Sequence, residues 1–390
     1  MTLLSICIPT RNRQIYAMSA VRAMVGSPRR DFEIVLADNS DDAAPLADFV
    51  ADLADPRVKL LSPGPAVLSM RANWERIVDQ TSGEWLTYIG DDDYLDPELA
   101  ELITVVTGRV PLVDAISWGR LHFIWPEARP HREITKVPTG SHLIGVDKQE
   151  MMRKLFFWED ATDRPQCPFG VYHGAVRRSL MTEIRDTFGG AYFGHPIVDY
   201  DNICRTLMLA RALVHFERPV SVFGACMQSN TIGLRDAAIA AERIRTFKAE
   251  MDGVIEARGF PFPIELGIAA QIGHVIECFK QQQGIEITAW EENFIRACAH
   301  DCEAQPNRER FEERKTGYAG AIAEWRGEAA LGAFKPIYKI RHDLPQFIGV
   351  NNRTLSFDMG IGGAQSAAEF YAILDTMLFP IHLVESRLAA

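Results

Sequence analysis

The sequence lacks the features that mark several large classes of protein. No run of about 18 apolar residues occurs, so we predict no transmembrane helix. The first residues, MTLLSICIPTRNR, are apolar over too few positions to predict a secretory signal. No internal repeat and no low-complexity tract occurs. We therefore expect a globular protein of the cytoplasm, with the inner face of the membrane as an alternative location.

Basic residues are also scarce relative to acidic ones. Lys and Arg total 41 and Asp and Glu total 52, which gives a formal net charge of −11. Because binding to nucleic acid needs a basic surface, this balance argues against a general nucleic-acid binder. The 7 cysteines are odd in number and scattered, which favours reduced core residues over disulfides. Cys298, His300 and Cys302 give only a weak zinc signal, since no second pair follows at finger-like spacing.

Strand-like and helix-like segments alternate over about the first 110 residues. Such alternation predicts an α/β fold in which helices cover a mostly parallel sheet. A length of 390 residues suggests two domains, or one large domain with an extension. We place an α/β unit at 1–236 and a mainly helical region at 237–390. The predicted early strands are Leu3–Ile8, Phe32–Ala37, Val58–Leu61 and Trp85–Ile89, and the predicted helices are Gln14–Val25, Ala44–Leu53, Ser69–Gln80 and Pro97–Val106.

The chain is less regular after residue 111. We expect two strands around Ala115–Trp125, followed by a loop that contains Gly140 and Gly145. Later segments return to an α/β pattern up to about residue 225. Beyond residue 237 the sequence is rich in Ala, Glu, Arg and Gln, which favours helices.

Polar clusters follow three of the early strands. They are Thr10–Arg13, Asp38–Asp42 and Asp91–Asp93. Open α/β sheets bind ligands in the crevice at the carboxyl ends of their strands. We therefore expect the three clusters to face one site.

The strongest chemical feature is Gly90-Asp91-Asp92-Asp93. Adjacent carboxylates repel one another, and a hard cation such as Mg²⁺ or Mn²⁺ would offset that repulsion with oxygen ligands. Such an ion can neutralise a departing diphosphate. The alternative is a solvated turn that caps the helix near Pro97, with Asp96 as its N-cap.

With these motifs in order, the chain resembles a family-2-type glycosyltransferase with the GT-A fold. The resemblance rests on Ile6–Arg13, Glu33–Ser40, Asn73 through Gly83–Trp85, and Gly90–Pro97. It implies inverting transfer of a sugar from a nucleotide-diphosphate donor, with a UDP-sugar favoured, and a divalent metal, Mn²⁺ or Mg²⁺. The acceptor would be a hydroxyl of a glycan or lipid-linked sugar, as in surface polysaccharide synthesis. Residues 1–110 would form the nucleotide-binding half and 111–236 the acceptor half.

The resemblance also assigns roles on the donor side. Asp92 would bind the metal with Asp93 as its helper, and Asp91 would contact ribose or phosphate. The usual first acid of the D-x-D motif falls on Gly90 if Pro97 anchors the alignment, so the assignment within the triplet stays open. The other predicted nucleotide contacts are Pro9, Thr10, Arg11 and Arg13 along the nucleotide, Asp38 at the base or ribose, and Arg71 near the base or phosphates.

Each of these residues also has an ordinary interpretation. Arg11 and Arg13 could be surface charges, and Arg71 could pair with a surface carboxylate. The segment Asp38-Asn39-Ser40 could be only an Asx turn.

On the acceptor side, Ile197-Val198-Asp199-Tyr200-Asp201 resembles the family stretch that supplies the general base. We predict Asp199 as the base and Asp201 as the alternate, although Val198 replaces the usual Glu. One of the two could instead be a helix N-cap. Glu159-Asp160 is a third candidate.

Two histidines and three tryptophans nearby have open roles. His173 is either a core residue or a support for the site, and His195 could reach a phosphate or have no role. Trp118, Trp125 and Trp158 could stack on a sugar, but aromatic residues at such spacing more often belong to the core.

Two other functions compete with sugar transfer. A nucleotidyltransferase could share this layout, but the Pro9–Arg13 loop lacks the glycines that grip a triphosphate. A catalytically silent scaffold could use its helical tail to bind a partner. The same helices could also form a homo-oligomer.

Overall fold

The computed structural model describes residues 2–129, 131–229, 237–251, 257–305, 307–339 and 347–386. A nine-stranded sheet forms the centre, in the order β15-β9-β11-β6-β10-β4-β1-β2-β3. Neighbours pair in parallel except at β10-β4, β10-β6 and β11-β9, so the sheet is mostly parallel, as predicted. The strands are β1 Leu4–Thr10, β2 Phe32–Asp38, β3 Val58–Leu61, β4 Trp85–Tyr88, β5 Tyr94–Leu95, β6 Val113–Trp118, β7 His122–Ile124, β8 Ile134–Pro138, β9 His142–Val146, β10 Gly174–Arg177, β11 Ala212–Phe216, β12 Ser221–Ala225, β13 Gly349–Asn351, β14 Thr354–Asp358 and β15 Glu385–Ser386.

Helices lie along both faces of this sheet. Within the described residues they are α1 Gln14–Val25, α2 Ala44–Leu53, α3 Met70–Val78, α4 Leu99–Arg109, α5 Lys148–Phe156, α6 Arg178–Thr187, α7 Val198–Leu209, α8 Ala237–Met251, α9 Ile268–Gln283, α10 Glu291–Glu303, α11 Arg308–Arg326 and α12 Ala367–Asp375. The α/β fold class expected from the sequence is therefore confirmed.

The first 110 residues follow the predicted alternation closely. Strands β1 and β2 are apolar and buried along almost their whole length because helices cover both faces. They pair in parallel with Thr10 opposite Asp38. The register therefore brings the two predicted polar clusters to the same edge.

One prediction for the irregular region was wrong. The segment with Gly140 and Gly145 was expected to be a loop, but residues His142–Val146 form β9, which pairs with β11. Gly145 lies opposite Val214 in that pairing. Pairing with a distant strand supplies hydrogen bonds that outweigh the low strand propensity of glycine.

The residues beyond 257 pack against the sheet in two places. Helices α9, α10 and α11 share an apolar core with α3, α5, α6 and α7. Helix α12 shares the core on the other face with α1 and α4. The region is mainly helical, but it also adds β14 beside β8 and β15 beside β9.

The predicted helical region 237–390 is described only in part. The first helix of that region, α8, is described as far as Met251, and residues 252–256 lie outside the described residues. In the described part of the chain, no helix combines the length and the apolar character that crossing a membrane requires.

Candidate functional site

The three adjacent carboxylates lie between β4 and β5, near the centre of the sheet. The side chains of Asp91, Asp92 and Asp93 are 0%, 7% and 1% exposed. The alternative of a solvated capping turn was therefore wrong. Asp96 accepts a hydrogen bond from the backbone N–H of Glu98 (3.0 Å), but the residue at the N-cap of α4 is Glu98.

Asp91 is held by the loop after β1. Its Oδ2 accepts hydrogen bonds from Thr10 Oγ1 (2.7 Å) and Arg13 Nε (3.1 Å), and Arg13 Nη2 lies 2.6 Å from its Oδ1. Burial raises the pKa of Asp91 to about 7, against the opposing charge of Arg13. Arg13 is therefore not an ordinary surface charge, and it connects the first polar cluster to the third.

Asp92 is the carboxylate of the three with the largest exposed fraction. Its Oδ2 accepts a hydrogen bond from the backbone N–H of Cys226 (3.1 Å), and Arg13 Nη1 is 3.7 Å away. Its backbone carbonyl accepts from Trp125 Nε1 (2.9 Å). Burial raises the pKa of Asp92, Arg13 lowers it and Asp93 raises it further. The residue is fixed at its backbone, and its negative charge is incompletely compensated.

Asp93 is saturated by protein donors. Its Oδ2 accepts from His173 Nε2 (2.7 Å), the Tyr172 hydroxyl (3.0 Å) and the N–H of Gly90 (2.6 Å), while Oδ1 accepts from the N–H of Gly224 (2.7 Å). Burial alone would raise the pKa of Asp93, but these partners, His173 first, hold it below the usual value. Asp93 is thus a charged anchor for the turn.

His173 supports the carboxylates from behind. It is buried, stacks on Phe223 at 3.5 Å between ring centroids, and contacts Ser221 Oγ through Nδ1 (2.8 Å). Trp118 Nε1 donates to the same hydroxyl (2.6 Å). This position matches one of the two interpretations of His173 from the sequence, a residue that supports the site.

Asp38 lies at the end of β2 and is fully buried. Its Oδ1 accepts from the N–H of Ser40 (2.9 Å), which is the Asx turn considered from the sequence. Its Oδ2 has no hydrogen-bond partner among the described residues. An unpaired buried acceptor costs about 1–3 kcal/mol, so Asp38 can gain from a donor that approaches this edge.

The remaining predicted nucleotide contacts surround the same edge. Pro9 lies in β1 and pairs with Ala37, and Arg11 is exposed just beyond the strand. Arg71, on α3, donates a hydrogen bond to the carbonyl of Phe193 (3.4 Å). Its hydrogen-bond partner is therefore a backbone carbonyl and not the surface carboxylate expected from the alternative interpretation.

Asp199 occupies the second position of α7 and is only partly buried. Burial raises the pKa of Asp199, while backbone N–H groups at the start of the helix lower it. The charge of Asp199 also acts on Tyr172, whose hydroxyl donates to Asp93. Tyr172 therefore lies within electrostatic range of Asp199 while its hydroxyl contacts the acidic turn.

Asp201 has a different environment from Asp199. Its Oδ2 accepts from the N–H of Gly194 (2.6 Å) and from Arg205 Nε (2.8 Å), and the residue is 2% exposed. Burial raises the pKa of Asp201, and Arg205 opposes that shift. The N-cap of α7 is Ile197, without a side-chain cap, so the N-cap alternative for both aspartates was wrong.

The other candidates lie in the core or on the surface. Trp118, Trp125 and Trp158 are all buried, which agrees with the core interpretation and leaves no open ring face for a sugar. Glu159 forms an ion pair with Arg153 (3.2 Å) on the surface.

Sequence reasoning predicted a strand at Val220–Phe223, close to β12, but it missed the contribution of that strand and of Tyr172 to the site. The backbone N–H groups of Gly224 and Cys226 hold Asp93 and Asp92, and backbone donors leave no signal in residue identity. A usable signal was Gly224 itself, because a Cβ there would lie 1.6 Å from the carbonyl oxygen of Asp92. Only glycine allows β12 to approach the acidic turn this closely.

The cluster around the acidic turn can hold a cation with one partly open carboxylate. Hard divalent ions take oxygen ligands and typically use one or two protein carboxylates beside substrate phosphates. Asp92 fits that donor chemistry best because its side chain is the most exposed of the three, whereas Arg13 encloses Asp91 and four donors enclose Asp93. The site therefore combines a carboxylate suited to a cation with an unpaired acceptor at Asp38.

Comparisons with known proteins identify relatives of the N-terminal part. The sequence model of the family "Glycosyl transferase family 2" matches residues 5–181. A GalNAc(5)-diNAcBac-PP-undecaprenol beta-1,3-glucosyltransferase of Campylobacter jejuni is 31% identical over 94 residues, which cover 24% of this chain and 30% of that protein. The matched segment thus spans about a third of this curated relative.

Solved structures with a similar backbone arrangement include S. aureus TarS 1-349. The form in complex with UDP-GlcNAc has a TM-score of 0.43 at 12% identity, over 85% of this chain and 89% of that one. The form without a named ligand has a TM-score of 0.41 with the same identity and coverage.

Proposed function

We propose that the chain is a glycosyltransferase, because residues 5–181 match the model of glycosyl transferase family 2. It would transfer a sugar from a nucleotide-diphosphate donor to a hydroxyl acceptor with inversion at the anomeric carbon. The observation that carries the proposal is the buried acidic turn at the carboxyl edge of β4, with Asp199 near enough for its charge to raise the pKa of Tyr172, whose hydroxyl donates to Asp93. A UDP-sugar is the favoured donor.

On the donor side, the residues of three loops share the binding of the nucleotide. Asp38 Oδ2, which lacks a protein donor, would accept from an N–H of the base or a hydroxyl of the ribose. Arg71 and Arg11 would face the phosphates. Pro9 and Thr10 would form the wall along which the nucleotide lies, with Thr10 also holding Asp91.

Asp92 would hold the Mn²⁺ or Mg²⁺ ion, because its side chain is more exposed than those of its two neighbours. When bound, such an ion neutralises charge on the diphosphate leaving group. Asp93, fixed by His173 and Tyr172, would keep Asp92 in place as its helper. Asp91, paired with Arg13, keeps that arginine beside the phosphate position.

On the acceptor side, Asp199 would accept the proton of the attacking hydroxyl. General-base help is typically worth about 10²–10⁴ in rate. The pKa of Asp199 is raised by burial, which makes its carboxylate a better proton acceptor than an exposed one. Asp201 is the weaker candidate because Arg205 and Gly194 already occupy its Oδ2.

The acceptor would be a glycan or a lipid-linked sugar in the synthesis of a surface polysaccharide or glycoconjugate. The name of the Campylobacter jejuni relative includes a lipid-linked sugar acceptor, which supports this class. Such an acceptor would bring the protein to the inner face of the membrane. The helices beyond residue 257 would be the surface for any homo-oligomer.

A nucleotide screen tests the proposal. Purified full-length protein is heated with UDP, UDP-glucose, UDP-GlcNAc or UTP, each with and without Mn²⁺, and the melting temperature is recorded. We expect the diphosphates and UDP-sugars to stabilise the protein only when Mn²⁺ is present. Stabilisation by UTP alone would favour a nucleotidyltransferase, and no response to any nucleotide would favour a silent scaffold.

A further inference from the structure

The segment 188–197 leads into the helix that carries Asp199, and α3 holds its first part. Glu75 accepts hydrogen bonds from the backbone N–H groups of Tyr192 (2.7 Å) and Phe193 (3.1 Å). Arg71 donates to the carbonyl of Phe193. The position of this segment therefore depends on side chains outside it.

The middle of the segment is held by α7 itself. Asp201 accepts from the N–H of Gly194 (2.6 Å), and Arg205 donates to the carbonyl of Ala191 (3.3 Å). A Cβ on Gly194 would lie 1.8 Å from Arg205 Nη2, so the guanidinium packs directly on the backbone. These contacts fix the segment relative to the first turn of α7.

The last part of the segment is held by a histidine pair that joins it to α9. The N–H of Ile197 donates to His195 Nδ1 (3.0 Å), so Nδ1 carries no proton. A neutral imidazole then has its proton on Nε2. That Nε2 lies 3.2 Å from Nδ1 of His274, so the hydrogen bond runs from His195 to His274.

The neutral form of His195 fits its surroundings. The residue is 2% exposed, and burial, together with His274 and Arg71, lowers the pKa of His195 to about 3. The direction of the hydrogen bond is therefore kept across the range in which proteins are usually assayed.

A metal ion does not explain this cluster, although His195, His274 and Cys278 place possible ligand atoms within 4.8 Å of one another. Cys278 Sγ lies 3.6 Å from Nδ1 and 3.9 Å from Nε2 of His274. If one zinc ion bound both Cys278 Sγ and His274 Nδ1, with Zn–S of ~2.3 Å and Zn–N of ~2.1 Å, the sulfur would lie roughly 5 Å from His274 Nε2. That distance is longer than the observed 3.9 Å. The sulfur instead packs over the ring, and His195 Nε2 carries a proton.

We propose that His274 is a positioning residue for the base: through His195 it holds the end of the segment that enters α7, and thereby sets the direction of Asp199. The inference rests on the proposed sugar transfer. It gives the helices beyond residue 257 a part in catalysis, since α9 supplies the contact.

The test compares two substitutions in the full-length protein. His274→Asn keeps an acceptor oxygen near the position of Nδ1, whereas His274→Leu removes it at similar volume. The assay follows UDP release from UDP-glucose and UDP-GlcNAc by water in the presence of Mn²⁺. We expect His274→Leu to lower kcat on the order of 10–100-fold, as misplacement of a reacting group does, with the KM for donor unchanged. His274→Asn should recover most of the rate.

Two readouts separate positioning from general damage. Calorimetry should give the same UDP affinity with Mn²⁺ in both variants and the unaltered protein. On an Asp199→Asn background, His274→Leu should cause no further loss, because the base it positions is already absent.

Several results would overturn the inference. It fails if His274→Leu keeps the full rate, if it weakens UDP binding in parallel with kcat, or if it still lowers the rate of Asp199→Asn. If the unaltered protein releases no UDP from either sugar but binds UDP with Mn²⁺, the transfer proposal fails first and the inference with it.

Discussion

The edges that we propose for the donor and for the acceptor are built in different ways. At the donor edge, Thr10 ends β1, Asp38 ends β2 and Asp91 follows β4, so the parallel register of neighbouring strands brings the three residues to one edge. At the acceptor edge, Asp199 depends on a segment held by Glu75 from α3 and by His274 from α9. The residues that mark the donor edge are close in sequence, although Gly224, Cys226 and His173 also hold its acidic turn. The acceptor edge depends on distant parts of the chain for the position of Asp199 itself.

The largest effect should come from the acceptor edge. Asp199→Asn should lower UDP release from UDP-glucose about 10²–10⁴-fold, because the proton acceptor is lost. Binding of UDP with Mn²⁺ should not change. Asp186→Asn, on an exposed residue of α6, serves as the control and should keep the rate. A full rate in Asp199→Asn would place the base elsewhere.

A substitution at the donor edge should change the affinity for the nucleotide before it changes any other property. Asp92→Asn should weaken Mn²⁺-dependent UDP affinity on the order of 10–100-fold, since a ligand carboxylate becomes a neutral amide. Isothermal titration calorimetry measures this change, and Asp48→Asn, at an exposed position of α2, is the matched control. An unchanged affinity would contradict the assignment of Asp92 as the metal ligand.

The strand β12 contributes to the donor edge by steric fit. Gly224→Ala should destabilise the protein by about 1–3 kcal/mol, because the new methyl group would meet the carbonyl of Asp92. Urea unfolding measures this loss. Gly108→Ala in α4, where nothing lies within 4 Å of the new Cβ, should be neutral or stabilising. Equal stability of the two variants would show that β12 can move away.

The smallest effect should be a shift in pH dependence. Asp199 must be deprotonated to act, and burial raises its pKa above the ordinary value of about 3.9. The rate of UDP release should therefore fall as the pH drops through that raised pKa, and the inflection should be missing from the residual rate of Asp199→Asn. An inflection shared by both proteins would assign the titration to another group.

The donor edge could be predicted from the sequence because its signals are local. The alternation of strand-like and helix-like segments predicted α1, α2 and β3 with the same bounds that the structure has. The polar residues at the ends of the strands predicted where the candidate site lies. The partners inside the cluster could not be predicted in the same way. That Arg13 would pair with Asp91, and Asp93 with His173, depends on side-chain directions that no spacing encodes.

The acceptor edge could be predicted only in part. The resemblance identified Asp199, but nothing in the sequence joins His195 to His274, which lies 79 positions later. Strand β9 was missed because its pairing with β11 compensates for a weak strand sequence. Helix α11 was missed as well, since its charged first half carries few of its buried residues.

The return of the C-terminal strand to the central sheet affects how the protein can be dissected. The last described strand, Glu385–Ser386, lies beside His142–Leu143, while the family match ends at residue 181. A fragment trimmed to that match would omit Asp199, Gly224 and the later helices that complete the apolar cores on both faces. We expect such a fragment to aggregate when expressed, so that the smallest piece of this protein that folds is far longer than the segment matched by the family model.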